Sequence, residues 1–220
     1  MPASPAKRKK GPGRPSTPLI TRETAIRASI DLLDREGLDA LTVQALSRQL
    51  GVQAPSLYYH FKNRDELLHL ITKALLFEVG EAEKPGSTWE ERVVDLAVST
   101  RRVILHHANA GPLMLRFFPR NLMLGAYERG LSDCPYAPPH RLAILDALEK
   151  LTYGTALFDA AAKAHHHVAM PDFDAGHYPL LAEALARPPV TGEDLFVETL
   201  QVLLDGFRSR YGPSSEKAET

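Results

Sequence analysis

The sequence lacks the features of a secreted or membrane protein. It contains one cysteine, Cys134, which cannot form a disulfide within the chain and therefore suits a reducing compartment. No apolar run approaches the ~18 residues that identify a membrane-spanning helix. The basic N-terminus also has no apolar segment of the kind found in signal peptides. We therefore expect a cytoplasmic protein with no membrane partner.

Signatures of common enzymes and metal sites are also missing. The sequence contains neither the GxSxG nucleophile motif nor the GxxxxGK[ST] phosphate loop, which argues against a hydrolase or a phosphate-transferring enzyme. Histidines cluster at 106–107 and 165–167. Consecutive residues of a helix point about 100° apart, so three in a row cannot share one set of metal ligands. We expect no enzyme activity, no metal and no cofactor.

The net charge of −1 conceals an uneven distribution. Residues 1–64 carry 11 basic and five acidic side chains, whereas residues 65–220 carry 15 basic and 22 acidic ones. This asymmetry predicts a polyanion-binding N-terminal part and a body that binds something else. A solubilising tail is the alternative, since four of the basic residues lie together at 7–10, but the N-terminal part stays basic without them.

Apolar spacing predicts helices throughout the chain. Leucine and isoleucine recur at helical spacing, and no alternating strand pattern of convincing length occurs. Thr21, Thr42, Asn63 and Thr88 are in place to begin helices as N-caps. The predicted helices cover about 22–36, 43–50, 54–60, 64–80, 89–107, 121–131, 140–165 and 191–207. The fold class is therefore all-α.

Composition divides the chain into four parts. Residues 1–19 contain five prolines and two glycines without apolar periodicity, which predicts a disordered basic arm. Residues 20–66 form an N-terminal domain, which the helix at 64–80 links to a larger domain at 67–212, and residues 213–220 form a disordered tail. The Gly-Arg-Pro tract of the arm leaves two alternatives open, a solvated tail or a segment that enters a narrow A·T minor groove.

Residues 42–63 have the pattern of a helix-turn-helix. Two short helices are joined by a tight turn at Gly51, a residue that suits the left-handed conformation ending a helix. Val52, Leu57 and Phe61 would fill the angle between the helices. The side chains left outward are of a size that reaches a major-groove floor or a phosphate: Gln53, Ser56, Tyr58, Tyr59 and His60. Two packed helices with solvated polar groups are the alternative.

This part of the chain resembles the tetracycline-repressor (TetR) family of regulators over residues 21–79. The resemblance rests on Gly-Leu-Asp-Ala-Leu-Thr at 37–42, Leu-Gly-Val at 50–52 and Pro-Ser-Leu-Tyr-Tyr-His-Phe-Lys-Asn at 55–63. It implies a three-helix DNA-binding domain that contacts double-stranded DNA through Pro55, Ser56, Tyr58, Tyr59 and His60, supported by Gln44, Lys62 and Arg64. Gln44 stands where the tetracycline repressor itself has an arginine, so the operator sequence should differ.

The C-terminal part resembles the tetracycline-repressor type of body, through Trp89 after a Pro-Gly loop, the long helix at 140–165 and Tyr178-Pro179-Leu-Leu. The resemblance implies a larger helical domain that forms a homodimer and binds a small-molecule effector, making the chain a repressor released from a palindromic operator. Where the tetracycline repressor has a histidine, an asparagine and a second histidine, this chain has Gly80, Leu96 and Met114. We therefore expect a more apolar effector than magnesium–tetracycline.

The effector pocket is expected between the helix at 89–107, the segment at 111–123 and the long helix near Phe158. The predicted lining is Leu96, Met114, Phe117 and Phe118, with Thr100 or His106 as a polar anchor. Two alternatives stay open. The apolar side chains could form core rather than a pocket, and a protein partner rather than a small molecule could control DNA binding.

Overall fold

The computed structural model describes residues 20–79, 87–117, 119–164, 170–186 and 192–212. Every regular element within these ranges is helical, which confirms the predicted all-α fold. The expectations for residues 1–19 and 213–220 concern parts of the chain outside the ranges. In chain order the α-helices are α1 (Arg22–Glu36), α2 (Val43–Leu50), α3 (Ala54–Leu57), α4 (Arg64–Glu78), α5 (Trp89–His106), α6 (Gly111–Arg116), α7 (Pro119–Leu122), α8 (Leu124–Leu131), α9 (Pro138–Ala164), α10 (Pro179–Leu185) and α11 (Gly192–Tyr211), with a 3-10 turn at Ala108–Ala110.

The N-terminal helices begin and end where the sequence supplies capping groups. The side chains of Thr21, Thr42 and Asn63 each accept a hydrogen bond from the backbone N–H three residues further on. Gly51 ends α2 with φ 65°, in the left-handed region where an L side chain is strained. Because helices as short as α2 are marginal in isolation, these caps help to fix where they start and stop.

Helix α3 is shorter than the sequence predicted. It ends at Leu57, and residues 58–60 form a turn instead of continuing the helix. The N–H of His60 donates to the carbonyl oxygen of Leu57 at 2.9 Å, a bond from residue i+3 to residue i that tightens the chain. The predicted helix over 54–60 is therefore wrong in its last turn.

Two further differences lie in the body. The helix predicted at 121–131 is divided into α7 and α8, because Met123 has non-helical angles of φ −128° and ψ 29°. Helix α10 was not predicted, although Pro179 is favourably placed in its first turn. None of the helices within the described ranges has both the length and the hydrophobicity of a membrane span.

One apolar cluster connects the N-terminal helices with the body. It is centred on fully buried leucines of α1, α2 and α4, and it includes Leu113 and Met114 of α6. Tyr153 and Leu157 of α9 pack against its edge. A second cluster, which includes Trp89 and Phe196, holds α5, α9 and α11 together. Helix α6 is thus packed into the core of the N-terminal part and is also part of the body.

Candidate DNA-contact surface and effector-binding body

Apolar side chains hold α2 and α3 together from the inside. Leu46 and Leu57 are fully buried, and Phe61 is 2% exposed. Val52, in the turn between the helices, packs against the same cluster. Because these residues all face inward, the polar side of the helix-turn-helix is presented to solvent.

The predicted DNA contacts lie on this outward side. Tyr59 is 89% exposed and Tyr58 is 52% exposed, whereas Ser56 and His60 are partly buried. The other exposed members of the predicted set are Gln44, Gln53, Pro55, Lys62 and Arg64. A tyrosine ring contributes most binding energy when its faces are buried against a partner. Because Tyr59 is almost fully exposed, nearly the whole ring is available to a partner molecule. No acidic residue lies between 44 and 64, which suits a surface that approaches phosphates.

Arg64 has a role within the chain that the sequence did not indicate. Its Nη2 donates to the carbonyl oxygen of Leu38 at 3.2 Å, and its Nε donates to that of Leu41 at 3.4 Å. Both carbonyl groups belong to the loop between α1 and α2, which carries the N-cap Thr42. Arg64 therefore positions α2 relative to the start of α4. Its contact with a phosphate stays a prediction.

Separate glutamine substitutions at Lys62 and Arg64 are expected to distinguish these roles. Lys62→Gln should lower the slope of log affinity against log salt concentration by about 0.9, the effect of one lost phosphate contact. Arg64→Gln should weaken DNA binding with little change in slope, because it loosens the loop before α2. Fluorescence anisotropy titrations at several salt concentrations measure both quantities. An equal fall in slope for the two variants would show that Arg64 neutralises a phosphate directly.

The structure brings only part of the predicted effector site together. Met114 is 2% exposed and Phe117 is partly buried, and both belong to the cluster that joins α4, α6 and α9. Thr100 is buried, and its hydroxyl donates to the carbonyl oxygen of Leu96 at 2.8 Å. In α5 this hydroxyl is therefore already bonded to its own helix.

The remaining members of the predicted lining lie elsewhere. Leu96 is 49% exposed and Phe158 is 82% exposed, and His106 also faces solvent. Phe118 and Gly80, like the histidines at 165–167, fall outside the described ranges. Within those ranges no group of three or more His, Cys, Asp or Glu residues is placed to hold a metal ion.

The end of α6 touches the beginning of α4. The Phe117 ring packs edge-on against His69 with the ring centroids 5.8 Å apart, and the Arg116 guanidinium lies 5.5 Å from the centroid of the same Phe117 ring. Arg116 Nη2 also lies 3.0 Å from Asp65 Oδ1. Since Asp65 is in the first turn of α4, these contacts connect the end of α6 with the segment directly after the turn at residues 58–60.

The sequence analysis missed a polar group inside the body. Glu149 of α9 is 8% exposed and accepts a hydrogen bond from the hydroxyl of Tyr127 on α8. Tyr153 lies one turn further on in α9. Burial of its hydroxyl and, to a smaller extent, the charge of Glu149 raise the pKa of that hydroxyl above its usual range. The signal was present, because Leu145, Glu149 and Tyr153 follow one another at helical spacing and place an acid among apolar neighbours.

Comparison with known proteins agrees with this arrangement in both halves. The model of "Bacterial regulatory proteins, tetR family" matches residues 25–71, and that of "Tetracyclin repressor-like, C-terminal domain" matches residues 82–211. Tetracycline repressor protein class D of Escherichia coli is 28% identical over 198 residues, which cover 86% of this chain and 89% of that protein. An uncharacterized HTH-type transcriptional regulator of Mycobacterium tuberculosis is 41% identical over 91 residues, 40% of this chain and 42% of that one.

The fold is also similar to solved structures. The crystal structure of the Streptomyces coelicolor TetR family protein ActR in complex with actinorhodin aligns with a TM-score of 0.69 and 26% identity. The alignment covers 89% of this chain and 99% of ActR. The matched family consists of regulators of transcription and not of enzymes. The chain belongs to the TetR family of bacterial regulatory proteins and is a DNA-binding transcriptional regulator.

Proposed function

We propose that the chain is a homodimeric repressor that binds a palindromic operator in the cytoplasm and is released by a small, mainly apolar effector. The observation that carries the DNA-binding half is Tyr59, an aromatic ring 89% exposed on a surface without acidic residues. In a symmetric dimer two such surfaces enter successive major grooves, about 34 Å apart. The half-sites of the operator are therefore expected one helical turn apart.

Exposed apolar side chains on the two longest helices support the dimer. Helix α9 presents Leu142 at 69% and Phe158 at 82% exposure, and α11 presents Leu195 at 49% and Val202 at 67%. Leu195 and Val202 are seven residues apart and share one face of α11, whereas Leu142 and Phe158 lie on different faces of α9. Two helices from each copy would cover the α11 face and one of the two α9 faces in a four-helix interface. Leu200, on the same helix as Leu195 and Val202, is by contrast fully buried within its own chain.

Substitution of Val202 by arginine is expected to produce monomers. The side chain is exposed in the single chain, so the fold is retained, but an unpaired charge in an apolar interface opposes association. Sedimentation velocity at micromolar concentration should show a particle of 24.3 kDa for the variant and twice that mass for the wild type. Leu124→Arg, on α8 and 71% exposed, is the control that should remain dimeric. A monomeric wild type would contradict the proposal.

The apolar character of the effector is inferred from the body. Leu96 and Met114 offer neither a metal ligand nor a strong hydrogen bond where the tetracycline repressor has polar side chains.

Met114 and Phe117 lie in a cluster that reaches α4, so a ligand seated beside them acts directly on the DNA-binding helices. A ligand that favours the released arrangement by about 1–3 kcal/mol changes operator affinity about 5- to 150-fold. The crystal structure of ActR, a protein of similar fold, is of a complex with actinorhodin, which supports a small-molecule effector here.

A thermal-shift screen of apolar aromatic compounds is expected to find ligands, whereas tetracycline with magnesium should give no shift. A compound present at about 100 times its Kd should raise the Tm by about 5–10 °C. Phe117→Ala should reduce this shift. As a control, this variant should bind the operator in the absence of ligand as tightly as the wild type does. If no small molecule stabilises the chain, control by a protein partner becomes the better explanation. A strong response to magnesium–tetracycline would refute the inference from Leu96 and Met114.

A further inference from the structure

His107 lies where the two halves of the chain meet. It is the first residue after α5, and its side chain is 7% exposed. Its Nδ1 lies 2.7 Å from Asp34 Oδ2, near the end of α1, and its Nε2 lies 3.0 Å from Glu78 Oε2, at the end of α4. One imidazole ring thus joins the C-terminal ends of both helices that flank the helix-turn-helix.

This geometry depends on the protonation state of the ring. An ionised carboxylate can only accept hydrogen bonds, so both ring nitrogens must carry a proton to satisfy Asp34 and Glu78. A neutral imidazole carries one N–H, which would leave a lone pair facing a carboxylate oxygen at about 3 Å. Since the ring is shielded from water, solvent does not readily replace the missing bond. The arrangement therefore fits the imidazolium, which is also a charge-assisted donor to both partners.

Within the described ranges, no cation other than His107 is paired with Asp34 or Glu78. Among the described residues, Asp34 Oδ1 is buried without a hydrogen-bond partner, so His107 is the contact that offsets the charge of Asp34. His106 of α5 faces the ring, with centroids 4.6 Å apart. From the 3-10 turn comes the uncharged Asn109, which donates to the Asp34 carbonyl oxygen at 2.9 Å.

Charged groups of α9 and α1 have partners of their own. Lys163 of α9 donates to the carbonyl oxygen of Leu105 at 3.2 Å, and Asp159 is paired with Arg101. Arg35 of α1 lies 3.7 Å from the adjacent carboxylate of its own helix. Within the part of the chain that the structure describes, the ring therefore meets two carboxylates and one further histidine.

The position of His107 gives it access to the DNA-binding helices. Helix α1 packs against α2, and α4 follows directly after the DNA-facing turn. His107 is followed at once by the 3-10 turn and α6, which carries Leu113 and Met114 into the shared core. A bond made or broken at His107 thus changes how firmly the body holds both helices.

We propose that His107 is a proton-operated latch, closed when the ring carries both protons and open when it loses one, which couples the DNA-binding helices to the body in a pH-dependent way. Histidine ordinarily changes charge between about pH 5 and 8, whereas carboxylates are ionised above about pH 5. We therefore expect the latch to be weaker at high pH than at low pH, because a ring that has lost one proton turns a lone pair toward one of the two carboxylates.

Thermal unfolding of the full chain at pH 6.0 and pH 8.5, without DNA or ligand, tests the latch independently of the proposed repressor function. Glu78→Gln is the informative variant, because an amide can accept from a ring N–H or donate to a bare ring nitrogen. The junction then holds in both protonation states. The wild-type Tm should fall by about 3 °C more than that of Glu78→Gln between the two pH values. His107→Gln, which has no titrating ring, should also lose the pH response.

His106→Gln is the matched control, since it removes the neighbouring ring and leaves the latch intact. It should retain the full wild-type difference between pH 6.0 and pH 8.5. Parallel pH profiles for the wild type, Glu78→Gln and His107→Gln would overturn the proposal, as would a response that disappears with His106→Gln. A purely structural role of His107 would lower the Tm of His107→Gln equally at both pH values.

Discussion

Replacing Tyr59 with alanine is expected to weaken specific operator binding by about one to two powers of ten while leaving the fold intact. A side chain that contacts base edges contributes roughly 1–3 kcal/mol to discrimination. Since Tyr59 is 89% exposed, its ring does little for stability, and the whole effect should appear in DNA binding. Gel-shift titration against the operator and thermal unfolding of the free protein measure the two quantities separately.

Two further variants make this result specific. Tyr178→Ala removes a tyrosine that is 52% exposed and lies directly before α10, and it should bind the operator normally. Ser56→Ala should weaken specific binding while binding to unrelated DNA changes less, because a base contact and not a phosphate contact is lost. Normal operator binding by both Tyr59→Ala and Ser56→Ala would show that another surface meets the DNA.

The fold of the N-terminal part could be predicted because its signals are local. Thr42, Gly51 and Asn63 determine where helices begin and end within a few residues of themselves. The short string at 55–63 then identifies which side faces outward. The error at α3 has a local cause as well. The helical spacing of apolar and polar residues continues past Leu57, so it does not reveal that the helix ends there. The end depends on the hydrogen bond that the His60 N–H donates to the carbonyl oxygen of Leu57.

The contacts between the two halves could not be predicted, because they join residues far apart in the sequence. Asp34, Glu78 and His107 are separated by tens of residues, and no spacing rule connects them. The bonds of Arg64 to the carbonyl groups of Leu38 and Leu41 could not be predicted either, since they depend on how the loop between α1 and α2 folds back. Exposure of Phe158 and Val202 was equally hidden, because apolar spacing does not distinguish a residue that packs within its chain from one that faces outward.

Arg101 and Asp159 form an ion pair whose two side chains are buried to different extents. Removing one of them should therefore change the stability of the fold more than removing the other. The Arg101 side chain on α5 is 6% exposed, whereas the Asp159 side chain on α9 is 52% exposed. The guanidinium also lies 5.6 Å from the ring centroid of Phe196 on α11. Within the described residues its Nε is buried without a hydrogen-bond partner. Asp159 is the carboxylate bonded to the buried cation, and the charge of Glu193 also acts on Arg101.

Asp159→Ala is therefore expected to destabilise the fold more than Arg101→Met does. The first variant leaves the guanidinium in the core without its bonded carboxylate, which costs about 3 kcal/mol. The second fills most of the same volume with an apolar side chain and leaves a half-exposed carboxylate in water. We expect it to lower the free energy of unfolding by about 1 kcal/mol. Urea unfolding at one fixed protein concentration compares them, because the stability of a dimer varies with concentration. If Arg101→Met were the less stable variant, packing of the arginine stem against Phe196 would outweigh its charge, and the pair would have to be regarded as a structural contact between three helices.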